Sequence, residues 1–325
     1  MSGIGLAKAL NRLRSLTARS VKQLLHRCGV SVGRVRRLRA NFIITFHLVR
    51  PPECTLFETM VRFLAQNFEV VSLDEFIVEN ENPRAVQKNG LVVLSFDDGL
   101  RHHAELIYPV LKNLNVPATF YVCPELIDRA RSIWTWEVRA RLERLSDGPR
   151  QRFFDLAGVS GQTQAIVNWM KTIPVAHREE IEKEIRDCTQ DFEFTQDERD
   201  CFELMSWDQM QKLDPALITI GSHTSTHIDL PQADTGRIER ELSSSKGILE
   251  SRLKRKVEHF SYPNGNFNDA MLDVVRRYYR SAVTTKQDVV KQGDDLFLLP
   301  RINADLNLSR FLWELAVNAD RKYKS

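Results

Sequence analysis

The segment GSHTSTH places His223 and His227 four residues apart, with small hydroxyl residues between them. That spacing is about one helical turn, so both imidazoles can face the same side and share one ligand. Two histidines plus one carboxylate form a common open metal triad, with positions left for water and substrate. The pair is not the HExxH peptidase signature, because Thr224 stands where the general-base glutamate would be. A capped turn is the other reading. The segment SFDDGL supplies carboxylates: Asp97 and Asp98 are adjacent, follow an apolar run, and precede Gly99, which opens a turn. Adjacent carboxylates repel unless something positive sits beside them. A divalent cation on one, with the other left as a base, satisfies that requirement. An N-cap and a turn acid before the next helix is the alternative. A third cluster, FSYPNG from Phe260 to Gly265, ends an apolar run in a Pro-Asn-Gly turn. Backbone N–H groups there can face a developing oxyanion, and Pro263 fixes the chain's approach. Taken alone, it reads equally well as a plain strand-ending turn.

Elements must bring these clusters together. FIITFHLV (42–49), LVVLSF (91–96), ATFYVC (118–123), ALITIGS (216–222), EHFSYP (258–263) and SAVTT (281–285) read as strands. They are short and rich in Val, Ile, Thr and Phe. Helical patterns lie between them, at 55–67, 102–114, 235–253 and 268–279. Such alternation argues for βα units and a parallel sheet or barrel, whose functional residues gather at the carboxyl ends of strands. All three clusters fall at such ends. The charged stretch from about 125 to 205 breaks the rhythm and reads as a helical insertion, a candidate lid, with helices at WEVRARLERL and HREEIEKEIRDC.

Hydrophobic content of 42% and charged content of 27% are those of a globular protein. Five cysteines without CxxC spacing read as reduced thiols in a cytosolic compartment. The net charge of +3 hides an asymmetry: residues 1–40 carry ten Lys and Arg and no acid. Leucines at helical spacing make that segment a basic amphipathic helix, suited to an anionic membrane surface, to packing on the domain, or to an organellar transit peptide. Nothing aromatic interleaves the charges, which argues against nucleic acid. The organisation expected is therefore a 1–40 basic segment and a 41–325 catalytic unit carrying the insertion.

In this order SFDDG, SHTSTH and FSYPNG resemble the polysaccharide deacetylase family, the carbohydrate esterases with a NodB-like homology domain. The resemblance runs from about Phe42 to Ile302, with FHLV, VPATFYV, MSWDQM and LLPRI in agreement. It implies an α/β fold, a distorted parallel (β/α) barrel of about seven strands. It also implies hydrolysis of acyl groups on sugars with a divalent metal, most often zinc. Carried over, Asp98, His223 and His227 bind the metal and Asp97 is the general base. Tyr262, Pro263, Asn264 and Gly265 form the oxyanion and substrate turn, and Trp207, with Trp134 and Trp136, is a candidate sugar-stacking surface or ordinary core.

The chain departs from the family pattern in two respects. Ser261 stands where many members carry an arginine that orients the base, and Asn264 stands where many carry a tyrosine. Arg301 in LLPRI is the candidate substitute partner for Asp97; a surface ion pair is its other reading. The family's late catalytic histidine is absent, since none follows His259. His47 is then the candidate acid or a buried structural histidine, with a metal-bound water or protonated Asp97 as other sources of the proton. His102 and His103 read as solvent-facing or capping. The function expected is removal of an N-acetyl or other N-acyl group from a sugar. The envisaged substrate is a lipid-linked or other cell-envelope glycan precursor at the cytoplasmic membrane face. Deformylation or hydrolysis of another non-peptide amide is the second reading. A glycan-binding protein with little turnover is the third, and retention of both Asp97 and Asp98 argues against it.

Overall fold

The computed structural model describes residues 40–46, 48–81 and 90–322. His47 and the basic segment up to residue 39 lie outside the described residues. The core is a parallel sheet built from short strands: β1 (Phe42–Phe46), β2 (Glu69–Val70), β3 (Leu91–Phe96), β4 (Ala118–Val122), β5 (Ile218–Ser222), β6 (His259–Ser261), β7 (Ser281–Val283) and β8 (Ile302–Asn303). The order is β7-β6-β5-β4-β3-β1-β8, with β2 paired to the start of β3. Register is longest between β1 and β3, from Phe42 opposite Val92 to Phe46 opposite Phe96. Every residue of β3 is buried. That is why it reads as an unbroken apolar run rather than an alternation: both faces are covered.

The chain before β8 closes the seam. Leu299 N–H donates to Ala282 O, Thr284 N–H to Leu299 O, and Ala304 N–H to Thr45 O. One segment thus spans from β7 to β1 and turns the sheet into a distorted barrel. Helices cover its outside: α1 (Cys54–Asn67), α2 (Leu73–Glu81), α3 (Tyr108–Leu114) and, after the insertion, α11 (Thr235–Leu253), α12 (Asp269–Tyr278) and α13 (Leu308–Lys322). The stripe Phe57, Met60, Val61 and Leu64 on α1 shows how they seat: i, i+3, i+4, i+7 spacing faces the sheet.

Between β4 and β5 lie α4 (Pro124–Asp128), α5 (Trp134–Arg144), α6 (Asp147–Ala157), α7 (Thr163–Met170), α8 (Val175–Asp187), α9 (Gln196–Phe202) and α10 (Trp207–Gln211). This insertion has an apolar cluster of its own, with Val138, Leu142, Phe153, Ile166, Met170 and Ile185 among its members. Three features depart from the sequence expectation. β2 and β8 have two residues each, too few to show a period. The helix expected at 102–114 opens instead with a π-helical stretch, His103–Ile107. His102 and His103 are buried, not solvent-facing, and His103 packs on Phe96 and Phe120.

Candidate metal centre

The carboxyl ends of β3 and β5 deliver Asp98, His223 and His227 to one place. Asp98 Oδ1 lies 3.6 Å from His223 Nε2 and 3.4 Å from His227 Nε2. The three ligand atoms are all within 4.8 Å of one another, and all three residues are buried. Tetrahedral ligands at about 2.0–2.2 Å from a zinc ion stand about 3.4 Å apart, so this donor set fits such an ion. His223 Nδ1 contacts Ser261 O at 2.7 Å, which assigns the ring proton there and leaves Nε2 as the ligand atom. Burial pushes the His223 imidazole down to about 4, so it is neutral, as a ligand must be. Burial pushes the Asp98 carboxyl up. The hydrogen bond and charge of His227, with the charge of His223, outweigh that and hold it below its ordinary value.

The backbone at the centre is unusual. Asp98, Thr224, His227 and Asn264 all have left-handed φ, at 78°, 63°, 57° and 58°. Non-glycine residues, and β-branched threonine above all, adopt this region only where their surroundings enforce it, commonly at functional sites. The expected one-turn spacing of the histidines is therefore achieved by a strained loop, not by a helix.

Asp97 points to a different partner. Arg301 is fully buried, and its Nη1 and Nη2 donate to Asp97 Oδ1 and Oδ2 at 2.8 and 2.7 Å. This fork-to-carboxylate geometry fixes the carboxyl plane. The same guanidinium donates to Thr45 Oγ1, Ser95 Oγ, Ser261 Oγ and Thr284 O, so β1, β3, β6 and the end of β7 all hold it. A surface ion pair is ruled out. Small Ser261 leaves the space that the guanidinium occupies. Gly221 likewise makes room for the Tyr121 ring, which would meet an added Cβ at 2.4 Å.

The third cluster is a tight turn that follows Ser261, whose carbonyl holds His223. Tyr262 N–H is committed to Val283 O, Gly265 N–H to Tyr262 O and Asn266 N–H to Pro263 O. Pro263 has no N–H, so the turn's remaining backbone donor is that of Asn264, and among the described residues the buried Asn264 Nδ2 has no hydrogen-bond partner. Gly265 sits at φ 74°, and an added Cβ would stand 2.0 Å from Thr285 Oγ1. The Tyr262 side chain corrects the expectation of a substrate contact: it is core, packed on Phe260 and Phe267. Trp207 needs a correction too. Its indole N–H donates to Asp128 and its face is covered by Arg252. Glu241 of α11 accepts from the Ser225 and Thr226 N–H groups of the histidine loop, and Arg252 is eleven residues beyond it, or about 16 Å further along the helix. Trp134 is core of the insertion, and its Nε1 donates to His227 O. Trp136 stacks on Phe202. His47 lies outside the described residues. Sequence reasoning missed Asp229, which accepts from Asn266 Nδ2, and Lys171. Burial pushes the Lys171 ammonium down, while the charges of Asp229 and Asp98 both act on it. Neither residue belongs to a spacing pattern that could have flagged it.

A parallel α/β barrel thus carries an aspartate–dihistidine cluster with the donor set of a metal centre at its strand ends, beside an arginine-held carboxylate. The chain belongs to the polysaccharide deacetylase family: residues 84–283 match that family, described as Polysaccharide deacetylase. Membership of that family supports sugar deacetylation. The protein YxkH of Bacillus subtilis (strain 168) is 24% identical over 103 residues, 31% of this chain and 37% of that protein. Among solved structures, the Streptococcus pyogenes deacetylase PplD in complex with acetate superposes with a TM-score of 0.57 at 18% identity, over 87% of this chain and 99% of that one. IcaB from Ammonifex degensii gives 0.55 at 18% identity, over 86% and 97%. At that identity the structures speak to the fold alone.

Proposed function

We propose that this protein removes the N-acetyl group from an aminosugar, with Asp98, His223 and His227 holding a divalent metal, zinc by preference, and Asp97 as general base. The observation that carries the reading is the division of labour between adjacent aspartates. Asp98 faces two imidazoles, whereas Asp97 is gripped by Arg301. A binding protein would have no use for that second, oriented carboxylate. When bound, a divalent cation supplies Lewis acidity toward an acyl carbonyl and acidifies a water.

The remaining work falls to side chains and backbone. Arg301 occupies one lone-pair direction on each Asp97 oxygen, which leaves the carboxylate able to take a proton from an attacking water. The Asn264 N–H stands as donor to the developing oxyanion. The proton gained by Asp97 then passes to the departing amine, so one residue acts first as base and then as acid. This makes the family's late histidine dispensable here.

The acid-free basic segment 1–40 supports a substrate presented at an anionic membrane face, such as a lipid-linked N-acetylated glycan precursor. Among the described residues, no helix is long and apolar enough to cross a membrane. Acetate release from N-acetylhexosamine oligomers, and from a lipid-linked N-acetylhexosamine in anionic vesicles, tests the proposal. Release from either that requires added zinc supports deacetylation, and preference for the vesicle substrate that is lost on deleting 1–40 supports the membrane placement. Release of formate alone, from N-formyl compounds, would replace the proposal with deformylation.

A further inference from the structure

We infer that Glu241, on α11, is a positioning residue that holds the histidine loop in the conformation its metal ligands need. The inference rests on the metal reading above. Four donors converge on this one buried carboxylate. Ser225 N–H and Thr226 N–H both donate to Oε2 at 2.9 Å, Thr226 Oγ1 to Oε1 at 2.7 Å, and Arg237 Nε to Oε1 at 3.1 Å. Ser225 and Thr226 lie between the two histidines, so Glu241 grips the connector and touches neither ligand.

The connector needs such a grip. Thr224 and His227, which flank it, both hold left-handed φ. Such conformations relax unless the surroundings over-determine them. Two successive N–H groups turned toward one carboxylate do so, and an ionised acceptor makes the strongest hydrogen bonds available to them. The grip is braced from outside. Arg237, one helical turn before Glu241, carries a second ion pair to Glu179 of α8. Ser225 Oγ donates to Glu125 of α4, and Trp134 of α5 donates to His227 O. The insertion and α11 thereby fix the loop together. Burial of Glu241 to 3% exposure means that no water can replace the missing acceptor if the carboxylate is removed.

The test compares the full-length protein with Glu241→Ala and Glu241→Gln. Amide hydrogen exchange is read without metal, zinc affinity by chelator competition, and deacetylation at limiting and saturating zinc. In Glu241→Ala, exchange at Ser225 and Thr226 is expected to rise at least about 10-fold while the barrel strands stay protected. Zinc affinity is expected to fall about 10–100-fold, as for other residues that orient metal ligands. Glu241→Gln keeps one oxygen for the two N–H groups but sets an NH2 against Arg237 Nε, so its losses are smaller. Saturating zinc restores kcat in Glu241→Gln with KM unchanged. Unchanged exchange and zinc affinity in Glu241→Ala, or exchange that rises equally throughout the chain, would overturn the inference. A wild-type protein that takes up no zinc would sink the metal reading instead, and the exchange at Ser225 and Thr226 would still decide the grip.

Discussion

Arg301 donates both of its terminal nitrogens to the two carboxylate oxygens of Asp97, across 204 positions of sequence. A buried pair of this kind adds little net stability, because desolvation offsets most of the attraction, but removing one partner leaves the other charge stranded. Its value here is orientation: the carboxyl plane of the base is set by a fork that cannot lose its proton.

Arg301→Lys is therefore not a conservative change. The ammonium preserves charge but makes a single point contact, so Asp97 can tilt. The expected result is kcat lower by about 100-fold, with KM and bound metal little altered. Arg301→Met strands the carboxylate and lowers stability by about 3–5 kcal/mol. Steady-state kinetics with metal analysis on Arg301→Lys checks this, and an unchanged kcat would remove Arg301 from the mechanism.

The turn at Asn264 contributes backbone, not side chain. Asn264→Gly keeps the N–H and relieves φ 58°, so activity is expected within about threefold of the parent. Gly265→Ala forces a Cβ onto Thr285 and shifts the turn; activity should fall by at least about 30-fold at near-normal metal content. Reversal of that order, with the Asn264 variant the more damaged, would assign the oxyanion contact to the side-chain amide.

Legibility in the sequence followed the length of each signal. Asp97, Asp98, His223 and His227 sit in contiguous motifs whose chemistry is local, and β3 and α11 could be bounded from apolar runs and spacing alone. Arg301 was reachable because one arginine in the apolar LLPRI stretch could answer a missing partner. Tyr262 and Trp207 could not be sorted from sequence, since a ring that packs on Phe260 or under Arg252 looks the same as one that faces a sugar. Glu241 was invisible for a related reason. It is one of several acids on a charged helix, and only the fold turns it toward Ser225 and Thr226.

Glu137 gives the insertion an acid-sensitive joint. Its carboxylate accepts from Arg141 of its own helix and from Arg186 of α8. Burial pushes the carboxyl up, but the two guanidinium groups outweigh it and hold it below the ordinary value of 4.5. A depressed carboxyl contributes stability that is fully present above its unfolded-state value and is lost as pH falls through its folded value. Melting temperature should therefore drop steeply below about pH 4.5. Glu137→Gln should melt lower at pH 7 and converge on the parent in acid. Two parallel melting curves would show that this triad does not set the acid limit.

The most direct test separates the two aspartates. Metal content and acetate release from an N-acetylhexosamine oligomer are measured together for the parent, Asp97→Asn and Asp98→Asn. The account predicts that Asp97→Asn keeps about one equivalent of metal and loses about 1000-fold or more in kcat, while Asp98→Asn loses metal and activity together. Metal retained by Asp98→Asn, or near-parent turnover by Asp97→Asn, would contradict the division of labour on which the proposed function stands.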